Sequence, residues 1–505
     1  MKQKKVNIVE VLLFIFFIIY PLVFTSSYRD IINVKCMTFL ILGTAISFSG
    51  CLTLVFNNID KNDKFRPSLK NVWLNLSFTD FIMIFYLLSN IISVVISTYK
   101  IEAFTGSCNN NMGLIYSVIM VFVYFTITRV HISTSKIMIA ISLGFSILIV
   151  FATLQFMGFD PFYLTNDIPK PERINYLSFI GNTNIFCSYL CLITPIFMML
   201  YIFDERTKYS LYYITNIILG FLGLFISNTD SGYIGYFSAF FITFFVACGQ
   251  RIRLYKLVKM CLYFFATAIL FGVSHNILIG YARPLSNITA FFCKSAFSVI
   301  FFIILTFFII AFKSIVVSDN TFSLIKNGIR IIIFAFIFLC ISLIIYGNFI
   351  DESVSFGELD NYLKLTVNWG TGRGYVWKWV IEIFNSANII NQLFGFGVGT
   401  CGIILLKNYS DIMYYKLGYY YTNAHNEFLE TLINCGLLGL VSYIILLVTT
   451  VVKGLKSREL LRVSIAIGII AYGLQSSFVV MQPVVHPLIF IFMAMCNKKS
   501  DKNRD

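Results

Sequence analysis

The chain carries four histidines in 505 residues, and His425 has the most suggestive setting. It lies in Thr422-Asn-Ala-His-Asn-Glu-Phe-Leu-Glu430, just ahead of an apolar run that begins near Thr431. With Asn423 as the N-cap, His425 falls in the first helical turn. The positive end of a helix disfavours imidazolium, so the ring stays neutral and able to accept a proton. Asn426 and Glu430 share that helix face at i, i+4. Upstream, Gly370-Thr-Gly-Arg-Gly-Tyr-Val-Trp377 offers the guanidinium of Arg373 among small and aromatic residues, and Tyr281-Ala-Arg-Pro284 offers Arg283 just past another apolar run. A guanidinium so placed grips phosphate oxygens bidentately. Proton acceptance and phosphate binding are the chemistries these residue types offer.

Other reactive types weigh less. His131 falls in a loop, His275 reads as a polar end-cap, and His486 follows Gln482-Pro483 at the start of the last apolar run as a structural residue. The twelve cysteines are scattered, most of them inside apolar runs, without a Cys-x-x-Cys pair, which fits small core residues rather than a disulfide frame or metal site. No cofactor or metal is expected.

The elements that must position these groups are membrane helices. Only 12% of residues are charged and 58% are hydrophobic, against about 25% charged in soluble proteins. The net charge of +14 would suggest nucleic acid in a soluble protein, but here the placement of the charges matters more than their sum, and no nucleic-acid partner is expected. A span needs about 20 apolar residues. Fourteen runs qualify or nearly so, at 7–26, 31–57, 79–98, 112–130, 135–158, 179–202, 209–226, 232–248, 255–280, 295–312, 329–347, 431–452, 461–480 and 482–496. The last is short enough to be tilted or re-entrant. The expected fold is all-α and polytopic, with 12–14 transmembrane helices. The first run is too long for a cleaved signal and is read as a retained span. With the N-terminus inside, twenty-six of the 38 basic residues fall on one side, as the positive-inside rule requires. Both termini are then cytoplasmic and residues 348–430 form one large outer loop. The chain divides into N-terminal helices 1–174, central helices 175–347, the loop 348–430 and C-terminal helices with a tail, 431–505.

Basic residues left on the outer side include Lys35, Lys170, Arg173, Arg283 and Arg373. Within the loop, Asp351 to Asp360 reads as surface strand or coil and 370–374 as a flexible turn. Trp377, Val380, Ile381 and Phe384 recur with helical period, so residues 374–387 predict an amphipathic helix lying apolar face down in the outer interface. Leu393 to Thr400 is a loop with alternating glycines, and the tyrosines from Tyr414 to Tyr421 suit sugar stacking or the membrane interface.

Three motifs together resemble the O-antigen ligase and polymerase superfamily of bacterial membrane glycosyltransferases. They are Gly372-Arg373-Gly-Tyr-Val-Trp377, then His425-Asn426-Glu-Phe-Leu429 running through Gly436-Leu-Leu-Gly439, and Gly181-Asn-Thr-Asn184 at the start of a mid-chain span. The resemblance covers roughly residues 175–480 and implies a GT-C-like membrane fold in the bacterial cytoplasmic membrane. It implies transfer of a glycan from an undecaprenyl-pyrophosphate carrier to an acceptor glycan, lipid or wall polymer on the outer face, without a metal. His425 would act as base or acceptor-orienting group and Arg373 with Arg283 as phosphate ligands, supported by Asn426, Glu430 and Trp377. Where the family carries Ser-Arg-Gly, this chain has Thr229-Asp230-Ser231-Gly232, so Arg283, Arg173 or Lys170 fills the role or the donor binds differently. The rival expectation is a lipid-linked oligosaccharide flippase. It would need charges within the spans around a cavity, and Lys35 and Glu10 are the main intramembrane charges, both near span ends. A non-catalytic scaffold would leave His425 unexplained.

Overall fold

The computed structural model describes residues 7–25, 27–59, 76–107, 111–314, 319–351, 353–367 and 369–498. The basic clusters at 2–5, 61–70 and 499–504 lie outside the described residues. Each of the fourteen apolar runs contains a helix. Ten helices are long and apolar enough to cross a membrane among the described residues, eleven if the bent pair Asn287–Lys294 and Ala296–Ala311 is one span. The runs at 7–26, 112–130 and 482–496 give the shorter helices Ile8–Ile19, Leu114–Arg129 and His486–Asn497. Proline explains two of these. Pro21 cannot continue the first helix, and Pro487 sits in the opening turn of the last.

The helix Thr183–Phe203 is the axis of the bundle. Its membrane-length window is buried along its entire extent, as expected of a helix that is apolar all round and enclosed by protein. It packs against Leu460–Gln475, Ser210–Ser227 and Asp230–Ala247. The apolar helix Lys326–Ile350 is the opposite case, with none of its window fully buried; it touches the bundle through Ile329, Ile333 and Phe334 and exposes most of its other apolar side chains. Ahead of the axial helix, Tyr176–Leu177 pairs antiparallel with Gly181–Asn182, placing Tyr176 opposite Asn182.

Residues 348–430 are mostly helical, with Trp369–Ser386, Ile389–Phe394 and Cys401–Leu417 as the main elements. The expected flexible turn at 370–374 is the first turn of Trp369–Ser386, where Gly370 and Gly372 take positive φ of 61° and 98°. The buried face of that helix is Val376, Trp379, Val380 and Ile383, while Ile381 is 46% exposed. The buried face is therefore displaced by one position from the predicted one. The cause is a neighbouring element: the helix packs on Cys401, Ile404, Leu405 and Met413 in a small core of its own. Asp360 caps a short turn by accepting from the backbone N–H of Phe356 and the hydroxyl of Ser355, both at 2.8 Å.

The apolar run at 431–452 lies in the helix Glu427–Leu455, which is broken at Gly436 (φ 68°, ψ −171°). A Cβ there would lie 2.4 Å from the backbone of Leu393, so the glycine both makes the break and admits the alternating-glycine loop. Three carbonyls at the break find donors from other elements, as buried backbone requires. Ile433 accepts from Phe396 N–H at 2.9 Å, and Asn434 from Gly397 N–H at 3.1 Å and Ser93 Oγ at 2.6 Å. Cys435 accepts from Ser89 Oγ at 3.4 Å.

Candidate active site

The loop ahead of the break differs from its sequence reading in one respect. The N-cap is Asn426, whose Oδ1 accepts from the N–H groups of Phe428 (3.0 Å) and Leu429 (3.1 Å). Asn423 instead accepts from His425 N–H at 3.2 Å. His425 thus precedes the helix, with a left-handed φ of 47°. A non-glycine residue holds that backbone at a cost, and its neighbours supply the restraint. Ala424 is wholly buried. Its N–H donates to Glu430 Oε2 at 3.4 Å, and its carbonyl accepts from Trp377 Nε1 at 3.0 Å. Trp377 itself packs against Trp369 and Phe478.

The imidazole meets the ring of Tyr421 edge-on at 5.1 Å, and Tyr421 contacts Tyr419, ring centres 5.3 Å apart. Arg373 belongs to the same cluster. Burial and, second, the Arg373 charge push the His425 pKa down to about 3. Arg373 is itself held below the ordinary guanidinium value by burial, opposed by Tyr421 and Tyr419. The expected neutral histidine is present, but desolvation and a neighbouring cation are the causes. The structure thus brings together Arg373, Trp377, His425, Asn426 and Glu430, the last two supporting the loop. Its arrangement offers a neutral proton acceptor beside a cation.

Arg283, Arg173 and Lys170 gather elsewhere, around the hairpin before the axial helix. Arg283 Nη1 donates to the Tyr176 carbonyl at 2.6 Å, and its own carbonyl accepts from His275 Nε2 at 2.9 Å, the end-capping part expected of His275. Burial lowers the Arg283 pKa. Arg173 donates to the carbonyls of Ile168 (2.9 Å) and Asn166 (3.4 Å), and Lys170 is exposed. The loop holding Arg283 is fastened to the start of the helix at Asp230. Asn228 donates to the Pro284 carbonyl at 3.0 Å and accepts from Ser286 N–H at 2.7 Å.

The Gly181-Asn-Thr-Asn184 motif has a local task and a connecting one. Asn182 caps the axial helix by accepting from Asn184 N–H at 2.9 Å. The Asn184 carbonyl accepts from Gln475 Nε2 at 3.4 Å, and Gln475 also contacts Ser188 (2.7 Å) and Ser231 (3.4 Å). One turn earlier on the Gln475 helix, Tyr472 donates to Glu427 Oε2 at 2.6 Å. The two clusters are therefore joined through Leu460–Gln475.

Glu427 is the residue that sequence reasoning passed over. It is 0% exposed and accepts from both Tyr472 and Tyr443. Its signal was an acid at the mouth of an apolar run, a rare and costly placement. Of the intramembrane charges that were named, Lys35 is 0% exposed and donates to the Tyr20 carbonyl at 2.8 Å, and Glu10 pairs with Lys136 at 2.5 Å.

No curated protein matches the chain. Residues 287–444 match the O-antigen ligase family, so the part of the chain that carries Arg373 and His425 is the part similar to that family.

Proposed function

We propose that this protein is a membrane glycosyltransferase that moves a glycan from an undecaprenyl-pyrophosphate carrier to an acceptor hydroxyl on the outer face of the bacterial cytoplasmic membrane, with both termini inside. The observation that carries the reading is the convergence of Arg373 and His425, locked by the Trp377 bond to Ala424. In the reaction the acceptor oxygen attacks the anomeric carbon, the bond to pyrophosphate breaks, and undecaprenyl pyrophosphate leaves with the electron pair. The acceptor proton passes to His425, and cations carry the charge that develops on the leaving group.

Arg373 is the phosphate ligand beside the base. Arg283 is proposed as the second, in the place of the arginine absent from Thr229-Asp230-Ser231-Gly232. The support is that its loop is bonded to Asn228, immediately ahead of that segment. Arg173 and Lys170 are the peripheral cations of the same side. Asn426, Glu430 and Trp377 hold the loop of the base. The reaction proceeds without a metal because the pyrophosphate is already a competent leaving group and the cations neutralise it.

Purified protein in nanodiscs, given an undecaprenyl-pyrophosphate oligosaccharide without added metal, tests this reading by mass spectrometry. Free undecaprenyl pyrophosphate and an extended or transferred glycan are expected from the wild type and lost in His425→Ala. Lack of release, with scrambling of a fluorescent lipid-linked sugar in liposomes, would replace the enzyme with a flippase.

A further inference from the structure

The bond between Glu427 and Tyr443 reveals the shape of the helix that follows the site. The two residues lie 16 positions apart, yet Tyr443 Oη donates to Glu427 Oε1 at 2.5 Å. A straight α-helix would separate them by about 24 Å along its axis, beyond the reach of the two side chains. Residues 427–435 therefore double back at Gly436 and run beside the start of 437–455 as a half-helix, with His425 and Asn426 at its free end. The other carboxylate oxygen, Oε2, accepts from Tyr472 on the next helix at 2.6 Å. One buried carboxylate thus ties the free end of the half-helix both to the piece beyond the break and to the neighbouring span.

The position of this tie along the half-helix gives it leverage. The hydrogen bonds of Ser89, Ser93, Phe396 and Gly397 all act at the break itself. Bonds at a pivot fix its place but resist rotation through a short arm. Glu427 lies nine residues from Gly436, about 13 Å along the half-helix, where a small rotation moves His425 most. It is adjacent to the cap Asn426, and neither the proton-acceptor nor the phosphate-binding role uses it.

We propose that Glu427 is a positioning residue of the transfer reaction, a carboxylate strut that holds the half-helix at the angle presenting His425 to the acceptor. This rests on the glycosyltransferase reading for its kinetic consequence, while the strut itself is a matter of geometry. Displacing a catalytic group by about 1 Å costs on the order of 100-fold in rate. Glu427→Ala is therefore expected to lower kcat about 100-fold with donor KM changed less than about threefold. Glu427→Gln, which keeps the length and one acceptor oxygen, is expected to recover much of that loss.

The full-length protein in nanodiscs decides the point with two readouts. The first is the kcat and KM pair for Glu427→Ala, Glu427→Gln and Tyr472→Phe, using the undecaprenyl-pyrophosphate oligosaccharide as donor and His425→Ala as reference. The second is carbethoxylation of His425 by diethyl pyrocarbonate, followed residue by residue by mass spectrometry with His131 as internal standard. A changed His425 rate in Glu427→Ala and a fall in kcat support the strut. Wild-type kcat in Glu427→Ala beside an inactive His425→Ala overturns it and leaves the transferase reading standing. If the wild type transfers nothing, that reading fails, and an unchanged His425 modification rate in Glu427→Ala separately overturns the strut. Should Glu427→Ala not fold, Tyr472→Phe, which removes a single hydroxyl, carries the same two readouts, and the same results support or overturn the strut.

Discussion

The indole N–H of Trp377 lies 3.0 Å from the carbonyl oxygen of Ala424, the residue before His425. This bond joins the two motifs, one on a helix that opens at Trp369 and the other on the loop that precedes Glu427. It also meets the hydrogen-bonding need of a buried carbonyl next to a left-handed residue.

Trp377→Phe keeps the ring contacts with Trp369 and Phe478 and removes only the donor. An unpaired buried carbonyl costs about 1–3 kcal/mol, which the loop can relieve by shifting His425. The expected result is a fall in kcat of about tenfold or more, with donor KM little changed, measured by steady-state transfer in nanodiscs. Unchanged kcat would mean that the bond does not orient the histidine.

The pH dependence follows from the two causes acting on His425. Its pKa is about 3 in the free protein, and a base must be neutral to act, so activity is lost only as pH falls through that value. The acid limb of kcat/KM is therefore expected far below the ordinary histidine value of about 6.5. Pyrophosphate bound at Arg373 cancels part of the charge that depresses His425, so the acid limb of kcat lies higher than that of kcat/KM. Arg373→Ala removes that charge permanently. It should lower kcat about 100-fold or more, as loss of a transition-state donor does, and also raise the acid limb of kcat/KM. An acid limb that does not move would dissociate the two residues.

Arg283→Gln separates the proposed phosphate role from the local structural one. Glutamine can still donate to the Tyr176 carbonyl but carries no charge. A rise in donor KM of about tenfold is expected, with thermal stability close to wild type, since a charge-assisted phosphate contact contributes about 1.5–3 kcal/mol. If KM is unchanged, the donor phosphates are held by Arg373 without it.

Gly436→Ala tests the break. Its φ of 68° is unfavourable for alanine, and the added Cβ would meet Leu393 backbone at 2.4 Å, which cannot yield as a flexible side-chain tip would. The expected cost exceeds about 1 kcal/mol, read as a lower thermal-unfolding midpoint in nanodiscs together with loss of transfer. Ser93→Ala leaves the Asn434 carbonyl with one donor fewer and should cost about 1 kcal/mol. A Gly436→Ala protein as stable and active as wild type would mean that the half-helix does not need the break.

The membrane class and the place of the fourteen apolar runs were legible in the sequence. Apolar length and charge sparsity are local properties and survive whatever the packing. The face of Trp369–Ser386 was not legible, because Val376, Trp379, Val380 and Ile383 obey the helical period as well as the neighbouring set does. Only contact with Cys401–Leu417 chooses between them. The N-cap moved from Asn423 to Asn426 for a similar reason, since both are good caps and the bonds at Ala424 settle which one opens the helix.

The sequence by itself determined that this is a multi-pass membrane protein, and that its longest polar interruption carries both His425 and Arg373. Only the tertiary structure decided that the Arg373 charge acts on His425, that the loop holding Arg283 is bonded to Asn228 ahead of the helix at Asp230, and that Glu427 reaches across a broken helix to Tyr443. Those relationships join residues far apart along the chain. They depend on a backbone reversal at one glycine and on how helices pack, neither of which a local pattern of residue types can specify.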